Sequence, residues 1–183
     1  MKECVKKEIE KIIKKIDLNC SIEEFKDKAN WGWISARQKL SLDFIREFKD
    51  KVHWWNISRY QKLSLDSIRE FKDKVDWIQI SCKQKLSLNF IREFKDKVNW
   101  YTISYSKKLS LDFIREFKDL VDWWYISKYQ KLSLEFILEF KDKVDWYYIE
   151  QSQNITKKDI KEYEELKELE KTRVKNKFQL IRF

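Results

Sequence analysis

Apolar positions along this chain follow helical spacing, and they do so in two alternating phrases. From Leu42 the chain reads LDFIREFKDKV, with Phe44, Ile45, Phe48 and Val52 at i, i+1, i+4 and i+8, the spacing of one helix face. Ser41 precedes this run and Asp43 opens it, an N-cap followed by an acid that suits the helix dipole. Leu40 before the cap and Ile45 at the fourth helical position make a hydrophobic staple. The second phrase starts at Asp76, Asn99, Asp122 and Asp145, with His53 in the same place. Val75 precedes this start and Ile80 follows it by four residues. The pattern predicts a longer helix over residues 42–52 and a shorter one over residues 77–85, each repeated in the other copies.

Trp31, Trp54, Trp77, Trp100 and Trp123 open copies spaced 23 residues apart, and a sixth, degenerate copy opens at Trp146. Half a copy precedes the first, with Ile22, Phe25, Lys26, Asp27 and Lys28 in register with Ile45, Phe48, Lys49, Asp50 and Lys51. Such a period also suits leucine-rich repeats, and Trp, Tyr, Ile and Thr favour sheets. Comparing the copies separates the two readings. Counting from each Trp, places 1, 4, 5 and usually 8 keep Trp, Ile, Ser and Gln, while places 2, 3, 6 and 7 change. Both sets fall at helical spacing, whereas a strand would separate odd from even places.

The expected fold is therefore all-α: a short-helix α-solenoid of about six 23-residue helix-turn-helix repeats with N- and C-terminal capping helices. Residues 1–30 supply the N-terminal capping helix and half repeat, with Val5, Ile9, Ile12, Ile13 and Ile16 on one face. Residues 31–168 are the tandem repeats. Residues 156–183 overlap the last of them as a C-terminal capping helix with Ile160, Tyr163, Leu166, Leu169 and Val174 as its stripe, ending in an apolar, basic and unpacked segment, 178–183. Phe94 and Trp100 are expected in the middle of the core. One Gly and no Pro leave no linker within the array.

Little in the composition supports catalysis. The single histidine, His53, reads as a helix cap or a solvated side chain, and one glycine excludes a phosphate-binding glycine loop. Three cysteines without metal-like spacing argue against disulfides and zinc. No enzyme activity, cofactor, metal or small-molecule substrate is expected. No apolar run suits export or a membrane span, which points to the cytoplasm. Pairs such as Asp43 with Arg46, Arg46 with Asp50 and Glu47 with Lys51 read as ordinary solvated helix faces.

The net charge of +9 is unevenly placed. In copies one to five the first ten places carry Arg37, Lys39, Arg59, Lys62, Lys83, Lys85, Lys107, Lys108, Lys128 and Lys131, and no acid. The changing places lie on the same short helices and hold large aromatic and basic residues. Trp33, Trp55, Arg59, Tyr60, Lys83, Tyr101, Tyr105, Trp124, Tyr125, Lys128, Tyr129 and Tyr147 are the candidate partner-binding residues, since Trp, Tyr and Arg dominate interface hot spots. The recurrent tryptophans at place 1 belong to the core instead.

Segments such as ISRYQKLS (57–64), IREFKDKVDW (68–77) and WWYISKYQKLSLEFI (123–137) resemble tandem repeats of uncharacterised phage, giant-virus and bacterial proteins. The resemblance covers residue 31 to about residue 155. It implies a small helical array from a viral or mobile context, where non-enzymatic proteins block host factors such as defence nucleases, and so the cytoplasm of a host cell. The expected partner is a protein or ribonucleoprotein, with RNA or single-stranded nucleic acid as the alternative and a purely structural scaffold as a third reading. The chain is expected to be a monomer or a weak dimer through its C-terminal helix.

Overall fold

A computed structural model describes the backbone of residues 1–180 and the side chains of residues 1–169, 171 and 172. Val174 and the segment 178–183, named above for the closing stripe and the unpacked end, lie outside the described side chains. Among the described residues the chain is all-helical, a solenoid of short helices without strands. It divides into two compact units, Met1–Asn99 and Trp100–Phe183.

The first unit contains α1 (Glu3–Ile16), α2 (Ile22–Lys28), α3 (Trp31–Arg37), α4 (Leu42–Glu47), α5 (Trp54–Tyr60), α6 (Leu65–Glu70), α7 (Trp77–Lys83) and α8 (Leu88–Glu93). The second contains α9 (Trp100–Ser106), α10 (Leu111–Glu116), α11 (Trp123–Tyr129), α12 (Leu134–Glu139), α13 (Trp146–Gln153) and α14 (Lys157–Leu180). Odd-numbered helices from α3 to α13 open each copy and are called the A helices. Their even-numbered partners are the B helices. A helices pack on A helices within each unit, and α1 closes the first unit against α2 and α4.

Caps set the helix starts as expected. Ser41, Ser64, Ser87, Ser110 and Ser133 accept from the backbone N–H three residues on, and Asp76, Asp122 and Asp145 cap the A helices likewise. His53 caps nothing with its side chain and is exposed to solvent.

The B helices stop earlier than the apolar stripe suggests. They run only to Glu47 and its counterparts, and a further turn, closed by Val52 N–H donating to Phe48 C=O at 2.9 Å, carries Val52 back to the core. Two recurring bonds explain the stop. The Trp54 indole N–H takes the Lys49 carbonyl at 2.8 Å, and the His53 N–H donates to the buried Ser35 hydroxyl at 3.0 Å instead of to the helix. Trp31, Trp77, Trp123 and Trp146 repeat the first bond; Ser58, Ser81, Ser104 and Ser127 repeat the second. Each recurrent tryptophan is consequently half-buried, with its ring on the core and its N–H at the rim.

Full burial falls on other places. Ile34, Ile57 and Ile80 in the first unit, and Ile103, Ile126 and Ile149 in the second, are 0% exposed. Phe44, Phe90, Phe113 and Phe136 form the second buried layer, with Ser67 replacing the ring in copy two. Phe94 and Trp100, expected at the centre, are only half-buried.

A glutamine at place 8 joins copies two, three, five and six each to the copy before it, while copy four has Lys107 at that place. Gln61 accepts from Leu40 N–H at 3.1 Å and donates to the Ser35 and Gln38 carbonyls at 2.9 and 2.8 Å. Those carbonyls belong to the end of α3, where a helix has no partners of its own for them. Gln84, Gln130 and Gln153 bond in the same way. Gln38 follows only a half copy, which has no A helix to hold, and its buried amide nitrogen has no partner.

Ion pairs also run between copies more than along helices. Arg46 reaches Glu70 and Arg69 reaches Glu93, each at 2.7 Å, while Lys74 reaches Asp50 at 2.8 Å. Arg115 with Glu139 and Lys143 with Asp119 repeat the pattern in the second unit. The expected pair of Asp43 with Arg46 is present, but Arg46 and Asp50 are each drawn to the next copy. Arg46 and Arg69 hold their glutamate partners below the usual carboxylate range, chiefly through these hydrogen bonds.

The closing helix seals less than its stripe implies. Ile160 is buried and Tyr163 half-buried with its hydroxyl on Glu135, yet Leu166 and Leu169 are exposed. At about 1.5 Å per residue, the six residues of α12 cannot cover the 24 of α14.

Candidate binding face

On an A helix, places 4, 5 and 8 point into the core, which turns places 2 and 7 outward and places 3 and 6 toward neighbouring copies. The second unit concentrates aromatic rings on this outer side. Tyr101, Tyr105, Trp124, Tyr129 and Tyr147 are exposed, from 38% for Trp124 to 66% for Tyr147.

These rings form one packed patch. Tyr125 meets Tyr101 edge-on at 4.5 Å, Tyr105 at 5.5 Å and Trp124 at 4.6 Å, and it stacks on Tyr129 at 5.9 Å. Its hydroxyl donates to that of Tyr101, and this bond, with lesser help from burial, pushes the Tyr125 phenol up to about 12. Trp124 continues to Tyr148 at 4.8 Å, and Tyr148 to Tyr147 at 5.1 Å. Lys128 lies among them, its ammonium 4.5 Å from the Trp124 ring centre, 4.8 Å from Tyr148 and 5.3 Å from Tyr129. Cation–π attraction favours this placement.

The first unit makes a sparser version of the same arrangement. Arg59 spreads over Trp55 at 5.2 Å and Tyr60 at 5.4 Å, and one guanidinium nitrogen donates to Gln79 at 2.9 Å. Asn56 donates to the Gly32 carbonyl at 2.8 Å. Trp33 and Lys83 are exposed, and neither joins an aromatic cluster among the described residues.

Ion pairs gather on the B side of each unit, although Lys49, Lys72 and Lys118 there have no carboxylate partner among the described residues. The paired cations of the B side include Arg46, Arg69, Arg115, Lys74, Lys97 and Lys143. Arg37, Lys39, Lys62, Lys83, Lys85, Lys108 and Lys131, all in A segments, have no carboxylate partner among the described residues. An unpaired positive field is what attracts an anionic partner.

The twelve candidates thus fall into two groups. Trp33, Trp55, Arg59, Tyr60 and Lys83 belong to the first unit, and Tyr101, Tyr105, Trp124, Tyr125, Lys128, Tyr129 and Tyr147 to the second. Tyr125 is half-buried rather than exposed, because place 3 packs on place 2 of the preceding copy. For the same reason Trp124 and Lys128 are tied to Tyr148 of the next copy rather than standing apart from it. Tyr148, Lys62 and Lys85 belong on the face and were missing from the sequence-derived set. Tyr148 could have been found by pairing Trp124 with place 3 one copy later. Comparison with protein-family models, curated proteins and solved structures returned no match for this chain, so the reading of the face rests on its own residues.

Proposed function

We propose that the chain is a non-enzymatic binding protein whose A-helix side meets a protein or ribonucleoprotein partner. The observation that carries this is the patch of seven rings in the second unit, held at the surface instead of in the core. Large rings left partly exposed at a surface supply most of the energy of interface hot spots. Lys128 covers the faces of Trp124 and Tyr148, and Tyr125 and Tyr129 stack on each other. Bases stack on open ring faces, so these rings suit side-chain contacts better than single-stranded nucleic acid. The resemblance to viral and phage repeats extends the proposal: the partner is a host factor, blocked by occupancy.

The test is a photo-crosslinking residue at position 101, used to capture the partner from host lysate with and without nuclease. Tyr129→Ala with Tyr147→Ala should weaken the purified interaction by at least about 2 kcal/mol, roughly 30-fold, at unchanged helix content. Capture abolished by nuclease, or full affinity in the double variant, would overturn the proposal.

A further inference from the structure

A groove of about 310 Å³ separates the ends of α5 and α7 in the first unit, lined by Arg59, Tyr60, Lys62, Lys83 and Lys85 over a floor that includes Leu63. No acid lines it. Lys62, Lys83 and Lys85 are exposed and have no carboxylate partner among the described residues. Four cations around one groove repel one another, and no carboxylate among the described residues pairs with them.

We infer that this groove docks an extended acidic segment of the partner protein, with carboxylates facing the lysines and an apolar side chain on Tyr60 and Leu63. This rests on reading the A side as a binding face, and it adds the partner's chemistry. Charge complementarity calls for an anion, and three features select carboxylates over phosphates. Arg59 Nη1 donates to Gln79 and its Nε is buried, so each bidentate pair of guanidinium nitrogens has one member closed to a phosphate. The groove lies at helix C-terminal ends and offers no amide cradle, since the Leu63 N–H within it is taken by Gln84. Amide cradles for phosphate form at the opposite, N-terminal ends.

Spacing provides the third feature. Lys39, Lys62 and Lys85 occupy the same place in successive copies. Stacked helices sit about 8–10 Å apart, and an extended peptide advances about 3.3 Å per residue, so three residues span one copy. A segment with an acid at every third position therefore meets one lysine per copy.

The experiment uses the full chain and a fluorescent peptide of about 15 residues built from repeated Glu-Gly-Ser, a flexible coil that is free to extend along the groove. A single-stranded RNA of equal charge serves as the competing probe. The peptide should bind saturably. Lys62→Glu with Lys85→Glu should weaken it at least about tenfold at unchanged circular dichroism, and Lys49→Glu with Lys72→Glu on the B side should change it less than about twofold. Tighter binding of RNA, with log affinity falling steeply against log salt, would overturn the inference in favour of a nucleic-acid groove. So would absence of peptide binding, or equal losses from the two double variants. Because the tyrosines of the second unit are untouched, failure here leaves the aromatic-face proposal standing, and loss of that face leaves this result readable.

Discussion

Replacing Gln61 by Leu removes a side chain that is 7% exposed and makes three bonds to the preceding copy. Leucine has similar volume, so the core is not opened, but Leu40 N–H and the Ser35 and Gln38 carbonyls lose their partners. An unpaired buried polar group costs about 1–3 kcal/mol. The exposed Lys39 and Lys62 flank this turn and let water reach part of it, which places each cost near the lower end. Added apolar burial returns about 1 kcal/mol. The net loss expected is about 2–4 kcal/mol, and for a chain of this size that lowers the thermal midpoint by roughly 5–15 °C. Thermal and urea denaturation followed by circular dichroism measure the total. Hydrogen exchange at the Leu40 amide reads the local event, which should lose protection before the amides of α7. Lys62→Gln, beside it on the surface, should stay within about 0.5 kcal/mol. A loss below about 1 kcal/mol with Leu40 still protected would refute the role given to this glutamine.

Ser67→Phe should stabilise the chain by about 1–2 kcal/mol, since phenylalanine is fully buried at this place in four other copies and Arg69 lies 5.1 Å over the ring of Phe90, a contact that Arg46 could make with a ring at position 67. A drop in urea midpoint would mean that Trp54 and Phe71 have already closed the space. Tyr101→Phe should return the Tyr125 phenol from about 12 toward its ordinary value of about 10, followed by ultraviolet absorbance titration. The sign follows from the folded state favouring the neutral phenol: this contribution is complete below pH about 10 and is lost as pH rises toward about 12. An unchanged tyrosine titration in the variant would refute the coupling between the two hydroxyls.

Period, caps and the fully buried isoleucines were legible because each rests on local chemistry or on one helix face. The end of the B helix was not. It depends on the Trp54 indole reaching Lys49 across a turn, a competition that no propensity records. The recurrence of Gln at place 8 was visible, but its meaning was hidden, since its partners are backbone groups about 23 residues earlier. Helical offsets suggested pairs such as Arg46 with Asp50, while a six-residue helix gives each charge a nearer counterpart in the next copy. The outer face was half legible: diversity marked places 2, 3, 6 and 7 alike, and only packing separates the outward places from those that join neighbours. Leu166 and Leu169 obey the same periodicity as Ile160, and nothing in periodicity says how far a shorter neighbour extends.

The glutamine bonds all point one way, from a later copy back to an earlier one. During synthesis an emerging copy whose successor carries this glutamine is therefore left with open carbonyls until the following A helix has cleared the ribosome, and it is locked by that successor. Shortening the chain from the two ends is for that reason not equivalent. A cut after copy two removes Gln84 from the Gln61 and Ser58 carbonyls and leaves them to water. A cut before copy two puts the Gln61 amide in the position of Gln38, whose nitrogen is buried without a partner. A further copy placed ahead of the first would offer Gln38 the carbonyls that its amide nitrogen lacks, so the front of the array carries a joint already half made.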